Sequence, residues 1–300
     1  MVGTSQRTRW YLVLAAVCLF WGTIPVVIRD VDLDGIAIAF VRVWVAAVGL
    51  AVFLAVRVRR GTDGPAPVRL LSRAPGRCVA SGIILAAHWS AMFAAYKRAP
   101  ADVVIFVVFL APLGIAALAP AVLGERVGPR TLAALAVAIA GAALVSRPAT
   151  AGDTAGLLLA GFAAASFAAL ILIAKPLAQI YGGLRITLIE MTVAGVALIP
   201  AVAVVGWRTP EWSWTWLVVL GLVHTATGTA LYLAALARLP ATHVGILGYL
   251  EPVGVVLFAW PLLDATPAIA TIAGGGLIVA AGVLVVRASA VEEEPTHVPG

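Results

Sequence analysis

The sequence predicts an all-α integral membrane protein, with ten transmembrane helices arranged as two inverted five-helix repeats. Three observations predict it. Only 11% of the 300 residues are charged and 62% are hydrophobic, against roughly 25% charge in a soluble domain. So little charge cannot cover a water-facing surface, so lipid must be the solvent. Apolar runs recur at the length of about 20 residues that spans about 30 Å of hydrocarbon as helix. Finally, the second half of the chain repeats the first at a shift of 140 residues.

The runs lie at 11–28, 36–56, 78–97, 101–122, 130–146, 155–174, 185–206, 215–236, 242–263 and 268–286, numbered here helix 1 to helix 10. Turn chemistry fills the gaps: Gly61 to Pro67, Gly124 to Pro129, Pro148 to Asp153, Gly182-Gly183, Thr209-Pro210 and Pro240. The 3–4 and 8–9 connections are tight, which predicts antiparallel hairpins. Arg7 and Arg9 precede helix 1 in the manner of a signal peptide, but no small-x-small cleavage site follows, and Arg29, Asp30, Asp32 and Asp34 come directly after it. Helix 1 is therefore read as retained.

Orientation follows from the basic residues. With the N-terminus in the cytoplasm, the inner segments hold Arg7, Arg9, Arg57, Arg59, Arg60, Arg69, Arg73, Arg77, Arg126, Arg130, Lys175, Arg185, Arg238 and Arg287. The outer ones hold Arg29, Lys97, Arg98, Arg147 and Arg208, a ratio of 14 to 5 with Arg42 left inside a helix. Ten spans with both termini cytoplasmic fit this bias. Arginine dominates lysine and alanine is abundant, which suggests a GC-rich bacterial genome and a plasma-membrane location. Trp207, Trp212, Trp214 and Trp216 surround one outer loop as an interfacial belt. The organisation expected is a first repeat over 1–150, a second over 151–288 and a polar cytoplasmic tail over 289–300.

In the repeat, 88–123 lies on 228–263 without a gap. Matches at Arg98/Arg238, Pro100/Pro240, Pro112/Pro252 and Gly114/Gly254 carry more weight than those among alanines. Five helices per half is an odd number, so the second half enters the membrane from the opposite side. Inverted repeats place a substrate site near the midplane between the halves and imply alternating access.

Several motifs carry a family resemblance. Phe20-Trp21-Gly22 stands in helix 1 and Arg42 in helix 2. Phe109-Leu110-Ala111-Pro112 is followed by the turn Leu123-Gly124-Glu125-Arg126, and Tyr249-Leu250-Glu251-Pro252 is the second copy. Together they resemble the drug/metabolite transporter superfamily in its EamA-type ten-helix branch, over nearly the whole chain. The resemblance implies a secondary transporter exporting amino acids or other metabolites, driven by a gradient. One departure is Leu263-Asp264-Ala265-Thr266, where a second Gly-Glu turn is expected. Either Asp264 substitutes for the glycine or the turn packs differently.

Ionisable groups inside spans cost roughly 2.5–3.5 kcal/mol on insertion scales, so each needs a partner, a water-filled cavity or a task. Arg42 and Glu190 occupy the repeat-related helices 2 and 7. They suggest a salt bridge between the repeats or two poles for a zwitterion, with snorkelling of Arg42 the plain alternative. His88 in helix 3 either titrates and couples transport to protons or bonds a neighbouring carbonyl, while Trp89 could line a cavity. His224 and Thr225 in helix 8 add polarity from the other half, and Trp21 joins the candidates from its motif. His243 is placed at an interface. Glu251 is read as buried, able to bind a cation or a proton. Pro112 and Pro252 are the hinge candidates, because each removes a backbone donor. Gly141, Ala142, Gly274-Gly275-Gly276 and Gly282 are read as packing surfaces of helices 5 and 10.

Other classes are excluded. The histidines are scattered, no paired carboxylates share a helix face, and Cys18 and Cys78 make no metal or disulfide framework, so neither an enzyme nor a metal site is predicted. There is no phosphate-binding loop, no cofactor motif and no basic face for nucleic acid. No selectivity loop marks a channel. The expected partners are a small-molecule substrate and the lipid bilayer, with a coupling proton or other ion and a second copy of the chain left open. Hydrophobic drugs are the alternative cargo.

Overall fold

The computed structural model describes residues 4–62, 74–147, 153–207, 211–264 and 266–291. Ten helices among them are long and apolar enough to cross a membrane, and no strand occurs among the described residues. Helix 1 runs over Thr4–Trp21 and resumes at Ile24–Ile28; helices 2 and 3 are Gly35–Arg59 and Pro75–Tyr96. Helix 4 is split into Ala101–Val108 and Ala111–Leu123, and helix 5 is Pro129–Ser146. Helices 6 and 7 are Thr154–Tyr181 and Gly183–Val202. Helix 8 comprises Glu211–Val219, a π-helical stretch Leu220–Gly228 and Thr229–Leu236. Helix 9 is split into Ala241–Gly248 and Leu250–Leu263, and helix 10 is Ile269–Val291. The expected tail, apart from its first residues, lies outside the described residues, as do Arg69, Arg73, Arg208 and the side chain of Trp212.

Eight of the ten expected spans agree to within a few residues. Helix 1 starts earlier, at Thr4, and helix 6 continues past Lys175-Pro176 to Tyr181. Lys175, counted above as a loop charge, is inside the helix and buried. It stays there because it forms an ion pair with Glu125 and donates to the Leu239 carbonyl. A paired charge does not need to end a span.

The repeat extends to backbone conformation. Pro100 and Pro240 precede helices 4 and 9 with φ/ψ of −55/143 and −56/137. Helix 4 ends at Gly124 with φ 67 and ψ 18, donating to Ala119, and helix 9 ends at Asp264 with φ 52 and ψ 27, donating to Ala259. Asp264 thus substitutes for glycine in the left-handed turn, a region that aspartate and asparagine enter more readily than most non-glycine residues. The packing follows the same exchange. Helix 3 packs on 6 and 7 as helix 8 packs on 1 and 2; helix 4 packs on 6 as helix 9 packs on 1; the pairs 2–7, 4–9 and 5–10 map onto themselves. Helices 5 and 10 make the most extensive seam, where a Cβ on Gly274 would lie 2.5 Å from the Gly141 carbonyl oxygen. Without a hydrophobic drive between helices in lipid, such small-residue contact is what holds the pair.

Asp34 caps helix 2 by accepting from Ile36 N–H at 2.9 Å, and Lys97 Nζ lies 2.6 Å from its other oxygen. The Lys97 hydrogen bond holds the Asp34 carboxyl below its ordinary value. A depressed carboxylate stabilises the fold fully above its unfolded value of about 3.9 and loses that contribution as pH falls through the lower folded value. Thermal unfolding of Asp34→Asn in detergent is therefore expected to show a shallower loss of Tm below about pH 4 than the parent; identical acid limbs would refute the assignment.

Candidate functional site

Two helix breaks meet at the centre of the bundle. Pro112 and Pro252 each follow a break, at Phe109-Leu110 and at Tyr249, so both hinge candidates sit where the ladder is interrupted. The carbonyl of Phe109 is freed there, and the hydroxyl of Tyr249, its repeat equivalent, donates to it. The two rings stack at 5.6 Å.

Around these breaks lie Arg42, Trp89 and Glu251. Arg42 Nε donates to Thr225 Oγ1 at 2.8 Å, and that hydroxyl donates in turn to the Leu220 carbonyl at 2.9 Å. The π-helical turn of helix 8 presents Thr225 this way, as π turns often do at functional sites. Gly221 lets the turn come close: a Cβ there would meet Val45 Cβ at 2.5 Å and the Arg42 carbonyl at 3.2 Å. The guanidinium carbon stands 5.0 Å over the Trp89 ring, a contact worth about 2 kcal/mol where water is excluded.

Glu251 begins the second segment of helix 9. Its charge and that of Arg42 act on each other, and its charge also acts on Tyr96, Tyr232 and Cys18. Among the described residues no ion pair joins it to Arg42 and no donor reaches its carboxylate. Arg42 and Glu251 are set deep in the bundle yet only half-covered, as are Trp21, Trp89 and Tyr96. They group as a candidate site, a slot with a positive and a negative end and aromatic side chains beside them.

The expected Arg42–Glu190 pair does not form. Glu190 is 2% exposed and accepts from Ser81 of helix 3. Depth accounts for this: each residue lies seven positions into its helix, about 10 Å at 1.5 Å per residue. Because helices 2 and 7 start from opposite ends, those depths are measured from opposite sides. Glu251 is the carboxylate whose charge acts on Arg42, without an ion pair between them.

His88 turns away from the slot. Its Nδ1 donates to the Ala163 carbonyl at 2.8 Å and its ring lies 5.3 Å from Phe167, both in helix 6. Of the two readings, the carbonyl bond is the one the geometry supports. His88→Ala is expected to leave the pH profile of transport unchanged and to lower stability by about 1 kcal/mol, the scale of an interhelical hydrogen bond in lipid. A flattened profile would restore the proton-coupling reading.

His224 and Trp21 fasten helix 1 to helix 8. Thr23 Oγ1 donates to the Phe20 carbonyl at 2.7 Å, so His224 Nε2, 2.8 Å away, carries the proton between them. Trp21 Nε1 donates to the His224 carbonyl at 2.9 Å and its ring stacks on Tyr232 at 5.3 Å. His243, expected at an interface, is buried between Tyr11 at 2.6 Å and Thr131 at 3.2 Å. It belongs to a second polar cluster with Lys175 and Glu125. In the sequence, the marks of that cluster are Glu125 in its Gly-Glu turn, His243 at the start of helix 9 and Lys175 at the end of an apolar run.

A sequence profile of the EamA-like transporter family matches residues 8–147 and matches again at 154–287. The chain belongs to that family. It is a multi-pass membrane transporter, not an enzyme, and its partners are a small-molecule substrate and lipid. A protein of Streptantibioticus cattleyicolor named "Probable terminal-alkyne amino-acid exporter" is 29% identical over 306 residues, covering 98% of each chain. An Archaeoglobus fulgidus protein named "Uncharacterized transporter" is 27% identical over 274 residues, covering 91% of this chain and 94% of its own. A solved crystal structure matches with a TM-score of 0.77 at 19% identity, over 93% of this chain and 97% of that one. That likeness extends to the fold alone.

Proposed function

We propose that this EamA-type transporter is a plasma-membrane secondary exporter of small zwitterions, amino acids above all, working by alternating access with both termini in the cytoplasm. The observation that carries the reading is the slot itself. Arg42 spends its Nε on Thr225 and keeps its outer nitrogens for a ligand, while Glu251 has no donor among the described residues. A carboxylate bound at one end and an ammonium at the other satisfies two charges that otherwise stay uncompensated in a low-dielectric interior. The relative named as an amino-acid exporter supports the cargo class. Internal repeats of five helices, entering from opposite sides, supply the two near-equivalent packings that alternating access needs.

The test is counterflow into proteoliposomes of purified protein, with a mixed panel of amino acids, amines and hydrophobic cations read by mass spectrometry. Exchange of a zwitterionic class is expected. Exchange of hydrophobic cations alone would assign the aromatic walls, rather than the charges, as the recognition element and overturn the proposal.

A further inference from the structure

We infer that Glu125, Lys175 and the start of helix 9 form the gate on the N-terminal side of the bundle, and that the structure has this gate closed and the opposite side loosened. The inference rests on the alternating-access reading. Glu125, from the Gly-Glu turn of the first repeat, pairs with Lys175 of helix 6 and accepts from Ala241 N–H at 2.7 Å. Lys175 also donates to the Leu239 carbonyl just before helix 9. His243 then ties the same segment to Tyr11 of helix 1 and Thr131 of helix 5. Charges and backbone groups from both halves thus close on one short helix, whose residues Ala241 to Leu247 are all buried.

The other end is built differently. In the equivalent segment of helix 4, only Val103 and Val104 are buried. The position matching Glu125 in the second repeat is Ala265, which supplies no carboxylate. Among the described residues the ion pairs at that end are Arg29–Asp30, Lys97–Asp34 and Arg98–Asp153, with Arg29 and Arg98 55% and Lys97 61% exposed, against 9% and 15% for Lys175 and Glu125. Exposed pairs are screened and contribute little; covered, hydrogen-bonded ones hold. A repeat with the same backbone but a latch on one side only rests closed on that side.

Native Cys18 reports on the gate. It is fully buried on helix 1, seven residues beyond Tyr11 and hence on the same face, near Glu251. In full-length Cys78→Ala protein in inside-out vesicles, a charged methanethiosulfonate added to the cytoplasmic face is expected to modify Cys18 at least ~10-fold faster in Lys175→Met and Glu125→Gln than in the parent. Labelling needs no substrate, so it tests the gate whatever the cargo. Parent-like labelling in both folded variants would overturn the inference. A second measurement locks the gate instead of opening it: Thr131→Cys/His243→Cys, with both native cysteines replaced, is bridged by a cleavable bifunctional thiol reagent. Counterflow is expected to fall to background on bridging and return on cleavage. Undiminished counterflow through a bridged pair would equally overturn the gate. If Cys18 labelling responds while no zwitterion is exchanged, the gate stands and the cargo proposal fails.

Discussion

Counterflow of zwitterionic amino acids falls about ten- to a hundredfold in Glu251→Gln, the factor corresponding to one charge-assisted hydrogen bond of about 1.5–3 kcal/mol. The substitution keeps side-chain volume and leaves no hydrogen bond of the protein broken, since Glu251 has no donor among the described residues. The loss is therefore one of ligand recognition, and it appears in KM when the ammonium is bound alike in ground and transition states. Arg42→Gln is expected to lose as much, with a different selectivity. Simple amines, which need Glu251 only, should be little affected by Arg42→Gln, while carboxylates should be little affected by Glu251→Gln. Binding measured by tryptophan fluorescence should follow the same split, because Trp89 lies against the guanidinium. Equal loss of every substrate in both variants would mean that the two charges hold the bundle together and do not read the cargo. Glu190→Gln serves as the internal contrast. Its carboxylate sits with Ser81 between helices 3 and 7, so its loss should change stability and leave selectivity alone.

Fold and site were legible to different depths. Span count and length follow from composition, because the hydrocarbon thickness leaves few solutions. The breaks in helices 4 and 9 were legible as Pro112 and Pro252, and the left-handed end of helix 9 was one of two readings of Asp264. What pattern alone cannot supply is azimuth. Arg42 and Glu190 were paired because both lie equally far along equivalent helices, yet inversion sets those depths from opposite sides and rotation points them at different neighbours. His88 and Trp89 are adjacent in sequence and face different helices for the same reason. The end of helix 6 was missed because Lys175-Pro176 looks like a stop, and only Glu125, fifty residues earlier, makes the lysine tolerable there. The π turn of helix 8 has no sequence signature beyond small and hydroxylated residues, so Thr225 was visible as a candidate and its bond to Arg42 was not.

Gly254→Ala is expected to be the most damaging single methyl in the chain. Helix 1, just before its break, and helix 9, just after its own, touch backbone to backbone there. A Cβ on Gly254 would stand 2.1 Å from the Leu19 carbonyl oxygen, and one on Gly22 would stand 2.2 Å from the Gly254 carbonyl carbon. No rotamer change relieves a clash with backbone, so the two helices must part, at the upper end of the 1–3 kcal/mol typical of overpacking or beyond it. The repeat provides a graded control. At the equivalent Gly114 a Cβ would meet Ala168 Cβ at 3.2 Å, and at Gly276 it would meet nothing within 4 Å. Thermal stability in detergent should therefore fall in the order Gly276→Ala, Gly114→Ala, Gly254→Ala, with the first close to the parent and the last strongly reduced in folded yield. The contact also sets the site. Glu251 precedes Gly254 by one helical turn, and Trp21 and Thr23 flank Gly22, so parting these helices moves the negative end of the slot away from Arg42. Any Gly254→Ala protein recovered folded should consequently bind zwitterions more weakly than its stability alone would suggest. If it matches Gly276→Ala in both stability and binding, helices 1 and 9 do not approach as closely as described, and the position assigned to Glu251 falls with that contact.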